Sequence, residues 1–530
     1  MLYPFLIYSA TQLLPAYAAP HKQASCLSLR TGGLHLENTT ILDATYIPSP
    51  TTVSTPGSCQ SSATISSGPL CRVYLVINTT STSAVHAEAW LPNNWNGRFI
   101  GLGNGGTSGC IEYDDLDYTT SLNFAAIGSD NGHDGASGLP FLNHPEVIND
   151  YAFRAVHAEA VVGKQLVRAY YSKPHSHSYF IGCSSGGRQG LQAALKYPAD
   201  FDGIVAGAGA TDSNNLMGWS GMLGHYVGAT SPDVPVTSSP SFIPSETWEV
   251  VSREILKQCD VLDGVEDGIL SEPDDCDFRL DAILCSGNQT SAACLTPPQA
   301  DAVRKIYSPL VDSKGNLLYP RYSPGAEADP FAATVFGGLF SALAADWYRY
   351  AVLNVTSYDF TNWSVEDALR MDAVNPGGVA TFDGDLSAFR ERGGKFLAYH
   401  GRRDPLISST NSKRVYDLIA NTLPPSPPNN NKLALDDFYR LFLIPGMGHC
   451  FGGIGPTSFG QGVVPGTNLV NDAEHNILLA MVKWVEEGEA PNVIVGVGEG
   501  TGTSARTERN FCRYPMKGVW DAKQGVWICE

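Results

Sequence analysis

Apolar and polar positions divide this chain into two regular stretches separated by a long irregular one. Residues 72–92 alternate as antiparallel strands at a sheet edge do. Arg98–Gly103 and Leu122–Gly128 are short apolar runs, each leading into a glycine-rich polar loop. Residues 152–171 place Phe153, Val156, Ala160, Leu166 and Tyr170 at helical spacing. Tyr179-Phe180-Ile181 is strand-like, and a helical stripe through Leu191, Ala194 and Leu195 follows it and stops at Pro198. Gly203–Ala208 reads as a buried strand. Strand, helix, strand in that order predicts a right-handed parallel crossover and so an α/β sheet.

The alternation disappears over residues 210–392, which hold many aromatics, Pro-rich turns and four Cys. This stretch is expected to be an inserted lid domain above the sheet. The sheet pattern resumes at Lys395–Tyr399 and Phe438–Ile444. Ile477, Met481, Trp484 and Val485 then form a helical stripe ended by Gly488 and Pro491. One catalytic domain is thus expected from residues 19–209 and 393–530, with 210–392 inserted. Residues 20–75, rich in Ser, Thr, Pro and Gly, read as a loop-rich lead-in stapled through Cys26, Cys59 and Cys71. The Pro/Asn-biased 424–431 stretch reads as a surface loop, and the tail carries Cys512 and Cys529.

The strand through Tyr179 runs into Gly182-Cys183-Ser184-Ser185-Gly186. Gly-x-Ser-x-Gly alone is a common pattern in a chain with 54 Gly. Placed between a strand and a helix, it is the nucleophile elbow of the α/β-hydrolase fold, with Ser184 standing clear of the sheet. A serine nucleophile needs a base, and the base needs an orienting acid; in this fold they follow in the order Ser, acid, His at strand ends. Strand 395–399 leads to Asp404 and strand 438–444 to His449, which are assigned as acid and base. His400 and His133 compete for the base role, but one lies four residues before the acid and the other precedes the nucleophile. Cys183 precedes the Ser and Cys450 follows the His, so a disulfide between them would tie the two catalytic loops together. An oxyanion hole needs two backbone amides. Ser185 supplies one, and Gly105 or Gly106 in the Gly103-Asn104-Gly105-Gly106 loop the other.

Composition narrows the partners. A formal charge of −19 and a pI near 5.0 argue against nucleic acid and anionic membranes. Residues 1–18 read as a signal peptide, with an apolar Leu2–Leu14 run and an Ala16-Tyr17-Ala18 cleavage pattern. No later apolar run reaches the roughly 20 residues that cross a bilayer. Twelve Cys, and Asn-x-Ser/Thr acceptors at Asn38, Asn78, Asn288, Asn354 and Asn362, fit an oxidising, extracellular compartment. Oligomeric state stays open between monomer and homodimer.

A second constellation spans Cys259–Ile269. The side chains of Asp260, Asp263 and Asp267, with the Val265 and Ile269 carbonyls, supply an oxygen-only donor set suited to Ca²⁺. The spacing is not that of an EF-hand, and a solvated acidic turn is the alternative. Nothing points to an organic cofactor.

Taken together, GCSSGGRQG, YHGRRDPLISS, IPGMGHC, GNGG and CDVLDGVEDGI resemble the motifs of the fungal tannase and feruloyl esterase family, most closely its B-type feruloyl esterases. The resemblance covers most of the chain. It implies secreted enzymes that hydrolyse hydroxycinnamate esters, such as ferulate on plant cell-wall polysaccharide, or galloyl esters in the tannase branch. It also implies a lid with a structural Ca²⁺ on the residues just named. Six disulfides are implied: Cys26–Cys71, Cys59–Cys110, Cys183–Cys450, Cys259–Cys276, Cys285–Cys294 and Cys512–Cys529. Cysteine spacing alone leaves that pairing open. A tannase, another secreted serine hydrolase such as a lipase or carboxypeptidase, and a non-catalytic binding protein are the rival readings; the last would be expected to have lost Ser184, Asp404 or His449. Trp219, Trp347 and Tyr348 are available to line an acyl pocket, although aromatics in such an insertion are more often core.

Overall fold

The computed structural model describes residues 18–287, 291–423, 435–462, 470–498 and 507–530. The expected leader, Asn288 and the 424–431 loop lie outside these residues, apart from Ala18. Nine strands form the main sheet: β1 (Thr39–Ile47), β2 (Leu70–Asn78), β3 (Ala84–Pro92), β4 (Arg98–Leu102), β5 (Ala125–Ser129), β6 (His177–Cys183), β7 (Gly203–Gly207), β8 (Lys395–Gly401) and β9 (Tyr439–Ile444). Their spatial order is β1-β2-β3-β5-β4-β6-β7-β8-β9. The first three strands and β5 pair antiparallel; every pair from β5 onward is parallel.

Alternation along each strand sorts side chains onto two faces. Phe99, Ile127, Phe180, Ile204 and Phe396 enter one core, which α3 (Ala155–Tyr171) closes with Val156, Ala160, Leu166 and Tyr170. Ile100, Ala126, Ile181, Val205 and Leu397 enter the other. That core is closed by Leu116 of α2 (Tyr113–Ser121) and by Ile477, Met481 and Trp484 of α9 (Ile477–Glu487). Every residue of β5 and β7 is buried, because helices cover both faces of the parallel part. Gly488, with φ 76°, ends α9 in the left-handed region where glycine carries no Cβ penalty.

The expectation of a loop-rich lead-in is corrected. Residues 20–75 hold α1 (Ala18–Thr31), the edge strand β1, a short ribbon of 51–54 with 62–65, and the start of β2. Ser and Thr were the misleading signal, since β-branched Thr also suits strands, and Thr39, Thr40 and Thr45 all lie in β1. Cys26 and Leu29, one turn apart on α1, are buried, and Cys26 is bonded to Cys71 on β2.

Between β7 and β8 the chain builds a separate, mostly helical body that includes α5 (Ser213–Tyr226), α6 (Ser245–Cys259), α7 (Ala332–Phe336) and α8 (Ala342–Asp346). It has its own aromatic core, with Trp219, Trp248, Tyr322, Phe336, Phe340 and Trp363 buried together. Trp219, Trp347 and Tyr348 belong to this core. The Trp347 indole N–H donates to Asn214 and the Tyr348 hydroxyl to Asp367, so these rings do structural work. The core continues into Phe141, Ile148 and Tyr151, which seats the inserted body on the loops below. All six disulfides pair as the family resemblance implies.

Candidate active site

Ser184 sits between β6 and α4 (Ser185–Lys196) with φ 63° and ψ −120°, a conformation that L-residues rarely adopt. The strain is held by backbone hydrogen bonds. The Ser184 amide donates to Gly207 at 3.0 Å, and its carbonyl accepts from Arg188 and Ala210. The turn is possible only with glycines around it. A Cβ on Gly182 would lie 2.8 Å from the Gly186 backbone, and one on Gly103 only 2.5 Å from the Gly186 Cα. The elbow and the Gly103–Gly106 loop are therefore packed backbone against backbone.

The acid and base come together as the sequence predicts. His449 Nδ1 donates to Asp404 Oδ2 at 2.7 Å, leaving Nε2 as the basic nitrogen. The other carboxylate oxygen of Asp404 accepts from the amides of Leu406 and Ile407. Burial alone would raise the Asp404 carboxyl, but His449 and His400 outweigh it and hold the group well below the usual carboxylate range. The disulfide Cys183–Cys450 joins the residue before Ser184 to the residue after His449, with 5.9 Å between the two Cα atoms across 267 positions.

His400 has a role that its sequence position did not reveal. It is fully buried, and its Nε2 faces two acceptors, Asp404 Oδ2 at 3.0 Å and the Ile407 carbonyl at 3.1 Å. The proton therefore sits on Nε2, and Nδ1 accepts from the Ser412 hydroxyl. His400 supports the acid from behind. His133 is also buried, bonded to the Thr107 carbonyl and edge-on to Phe141, away from the pair.

The glycine loop separates the two oxyanion candidates. The Gly105 amide faces the Glu112 carboxylate. Gly106 lies at φ 56°, its carbonyl accepts from the Ser185 and Tyr151 hydroxyls, and its amide makes no hydrogen bond among the described residues. The Ser185 amide stands at the start of α4, where the first amides lack helical partners. Gly106 and Ser185 are thus the free pair. Burial, with Asp115 and Asp114 nearby, lifts Glu112 to about 7.

Further polar groups brace the base loop. Cys450 has φ 70°, and its carbonyl accepts from the Tyr399 hydroxyl. Tyr399 also donates to Gln461, which in turn donates to Asp115 at 2.8 Å. The two arginines of the acid loop reach into the inserted body. Arg402, fully buried, pairs with Asp274 at 2.9 Å and Glu272 at 3.3 Å. Arg403 donates to the carbonyls of Gly325 and Ala328. On the opposite side Leu343 of α8 reaches the Gly106 position, 3.4 Å from where a Cβ there would stand, and Asp346 accepts from Ser137 and the Gly138 amide. The insertion is thus anchored on both sides of the site.

The acidic loop lies on the inserted body immediately after α6. Gly264 and Gly268 adopt left-handed turns after Asp263 and Asp267. The carboxylates of Asp260, Asp263 and Asp267 accept from amides of their own loop. The carbonyls of Val265 and Ile269 accept no hydrogen bond among the described residues. Burial raises the Asp267 carboxyl, and the nearby Asp263 and Asp260 add to the rise. The donor chemistry fits a divalent cation, although among the described residues no three acidic or His/Cys side chains converge as a preformed cage. Asn38, Asn78, Asn354 and Asn362 are all exposed.

Among the described residues no helix is long and apolar enough to cross a membrane. A solved structure described as tannin acyl hydrolase from Aspergillus niger superposes with a TM-score of 0.71 at 21% identity, covering 94% of this chain and 92% of that one, which speaks for the fold. A solved feruloyl esterase B from Aspergillus oryzae superposes with a TM-score of 0.88 at 39% identity over 96% of this chain and 100% of that one. The relative described as "Probable feruloyl esterase B-2" from Aspergillus oryzae is 43% identical over 508 residues, 94% of this chain and 93% of its own. The family model for tannase and feruloyl esterase matches residues 71–529, and with these relatives it establishes that the chain, an α/β-hydrolase fold and a carboxylic ester hydrolase, belongs to the tannase and feruloyl esterase family.

Proposed function

We propose that this chain is a secreted serine esterase that releases ferulate and related hydroxycinnamates from esters on plant cell-wall polysaccharide. The observation that carries the reading is the 2.7 Å His449–Asp404 hydrogen bond, with the disulfide Cys183–Cys450 stapling the base loop to the Ser184 elbow. In the mechanism, His449 Nε2 takes the proton of Ser184 as its oxygen attacks the ester carbonyl. The amides of Gly106 and Ser185 hold the oxyanion. The alcohol leaves with the proton from His449, and water activated by the same nitrogen releases the acid. Asp404 fixes the imidazole tautomer and stabilises the imidazolium.

The inserted body would act as the lid, with Leu343 beside Gly106 on the acyl side. Ca²⁺ held by Asp260, Asp263, Val265, Asp267 and Ile269 would fix the turn that follows α6. The names of the relatives near 40% identity support hydroxycinnamate over gallate, since the tannin acyl hydrolase stands at 21%. The six disulfides agree with secretion. The test is a panel of methyl esters. Methyl ferulate and caffeate should be turned over at least tenfold faster than methyl gallate; preference for gallate would establish the tannase reading. Faster cleavage of long-chain esters or peptides would overturn both.

A further inference from the structure

A cavity of about 630 Å³ opens between α6 and α7, and none of Ser184, Asp404 and His449 lines it. One wall is a single face of α6 (Ser245, Trp248, Glu249, Ser252). Ala333 and Phe336 of α7 and Phe242 also line it, and the Phe336 ring stacks on Trp248 with centroids 4.5 Å apart. Asp329 also lines the cavity and connects it to the loop that carries His449. Its Oδ2 lies 2.6 Å from where a Cβ on Gly448 would stand, and Gly448 precedes His449. Asp329 Oδ1 accepts from the Phe331 amide, while Oδ2 makes no hydrogen bond among the described residues.

The position of this cavity relative to the reaction is asymmetric. The acyl oxygen is placed by Gly106 and Ser185, on the side that Leu343 covers. The departing alcohol takes its proton from His449 and so leaves on the side of the base loop, which is where Asp329 stands. We propose that this cavity is the alcohol-side subsite, which binds the neutral sugar carrying the ester, with Asp329 accepting a sugar hydroxyl. The inference rests on the esterase reading above.

The lining chemistry selects a neutral polyol. Glu249, Glu327 and Asp329 make the walls acidic, with Arg253 as the cation at the rim, which disfavours an anionic occupant such as the released acid. Sugar hydroxyls can donate to Glu249 and Asp329, and Ser245 can donate or accept, while Glu327 is held by the Tyr307 hydroxyl and the Gly325 amide. Phe242 and Phe336 supply apolar surface for the C–H face of a ring. The volume falls within the ordinary range of small-ligand sites. A purely apolar occupant would leave the Asp329 carboxylate desolvated and unpaired.

The test compares two esters of the same acid on the full-length protein: a feruloyl ester of arabinose, and methyl ferulate, which has no sugar to place. Ala333→Trp fills the cavity from its exposed rim, and Asp329→Asn keeps the shape while removing the charge. The ratio of kcat/KM for the sugar ester to that for methyl ferulate should fall at least tenfold in Ala333→Trp and at least threefold in Asp329→Asn. Equal losses on both esters, or an unchanged ratio in both variants, would overturn the proposal. Binding of methyl arabinofuranoside, followed by tryptophan fluorescence, gives a readout independent of turnover. Saturable binding weakened at least tenfold in Ala333→Trp supports the subsite, and binding equal in the two proteins, or none to the wild type, refutes it. If wild type cleaves neither ester, the esterase reading fails while the sugar titration still decides the subsite.

Discussion

Removing the staple beside the proposed triad, Cys183→Ala with Cys450→Ala, separates its two effects. The bond closes a loop of 267 positions. The chain-entropy relation for a loop of that size gives about 5 to 6 kcal/mol at 25 °C, an upper figure because the native state relaxes when the bond is cut. Over 530 residues this corresponds to a melting temperature lower by about 5 °C. The bond between Cys512 and Cys529 spans 17 positions, and the same relation gives about 3 kcal/mol, so its removal should lower melting by about 3 °C. The two differ more in activity. Cys183 and Cys450 flank groups that must stay in near-attack geometry, where a 1 Å misplacement can lower the rate about a hundredfold. Methyl ferulate turnover at 25 °C, below both melting transitions, should fall at least about tenfold in the first variant and stay within about twofold in the second. Calorimetry and initial rates under non-reducing conditions make the comparison. Equal turnover in both variants, with the first melting no lower than the second, would refute the view that the bond positions the catalytic loops.

Three further outcomes follow from the same geometry. Asp404→Asn should lower kcat by about 10⁴ with the fold intact, because the imidazole loses its tautomer control; kcat within tenfold of wild type would contradict the assignment. Glu112 is lifted from 4.5 to about 7 by burial and by Asp115 and Asp114, so its contribution to stability is full below pH 4.5 and is lost as pH rises through 7. The melting temperature of Glu112→Gln relative to wild type should therefore be about 2 °C higher at pH 8 than at pH 4, and a difference independent of pH would count against it. EDTA should lower the melting temperature of the wild type, with recovery on adding Ca²⁺ but not Mg²⁺, and Asp263→Ala should abolish that sensitivity; a melt indifferent to EDTA would remove calcium from the account.

What could be read from the chain were the features set by local pattern. The strands around the elbow are short apolar runs bounded by glycine, and the pairing of Asp404 with His449 is legible in their strand-end placement. Cys183 and Cys450 announced their bond by their neighbours. The edge of the sheet is not legible because Thr-rich strands and Ser/Thr-rich loops share a composition, and the burial of Ala44 and Ile47 on β1 distinguishes them only in the fold. Groups that act through long-range contacts were not legible at all. His400 supports Asp404 through a hydrogen bond that only the turn at residues 401–404 creates. Glu112 takes the Gly105 amide and leaves Gly106 free, a choice that no spacing between glycines encodes. The path from Tyr399 through Gln461 to Asp115 joins three separate segments.

In the proposed mechanism Ser184 attacks the ester with His449 as its base. The most direct measurement is covalent labelling by diethyl p-nitrophenyl phosphate, followed by peptide mass mapping and residual turnover of methyl ferulate. One phosphoryl group should appear on the peptide containing Ser184 in proportion to lost activity, and Ser184→Ala, with an unchanged melt, should neither take the label nor turn over ester. Label on another residue accompanying the loss of activity, or substantial turnover by Ser184→Ala, would contradict the claim.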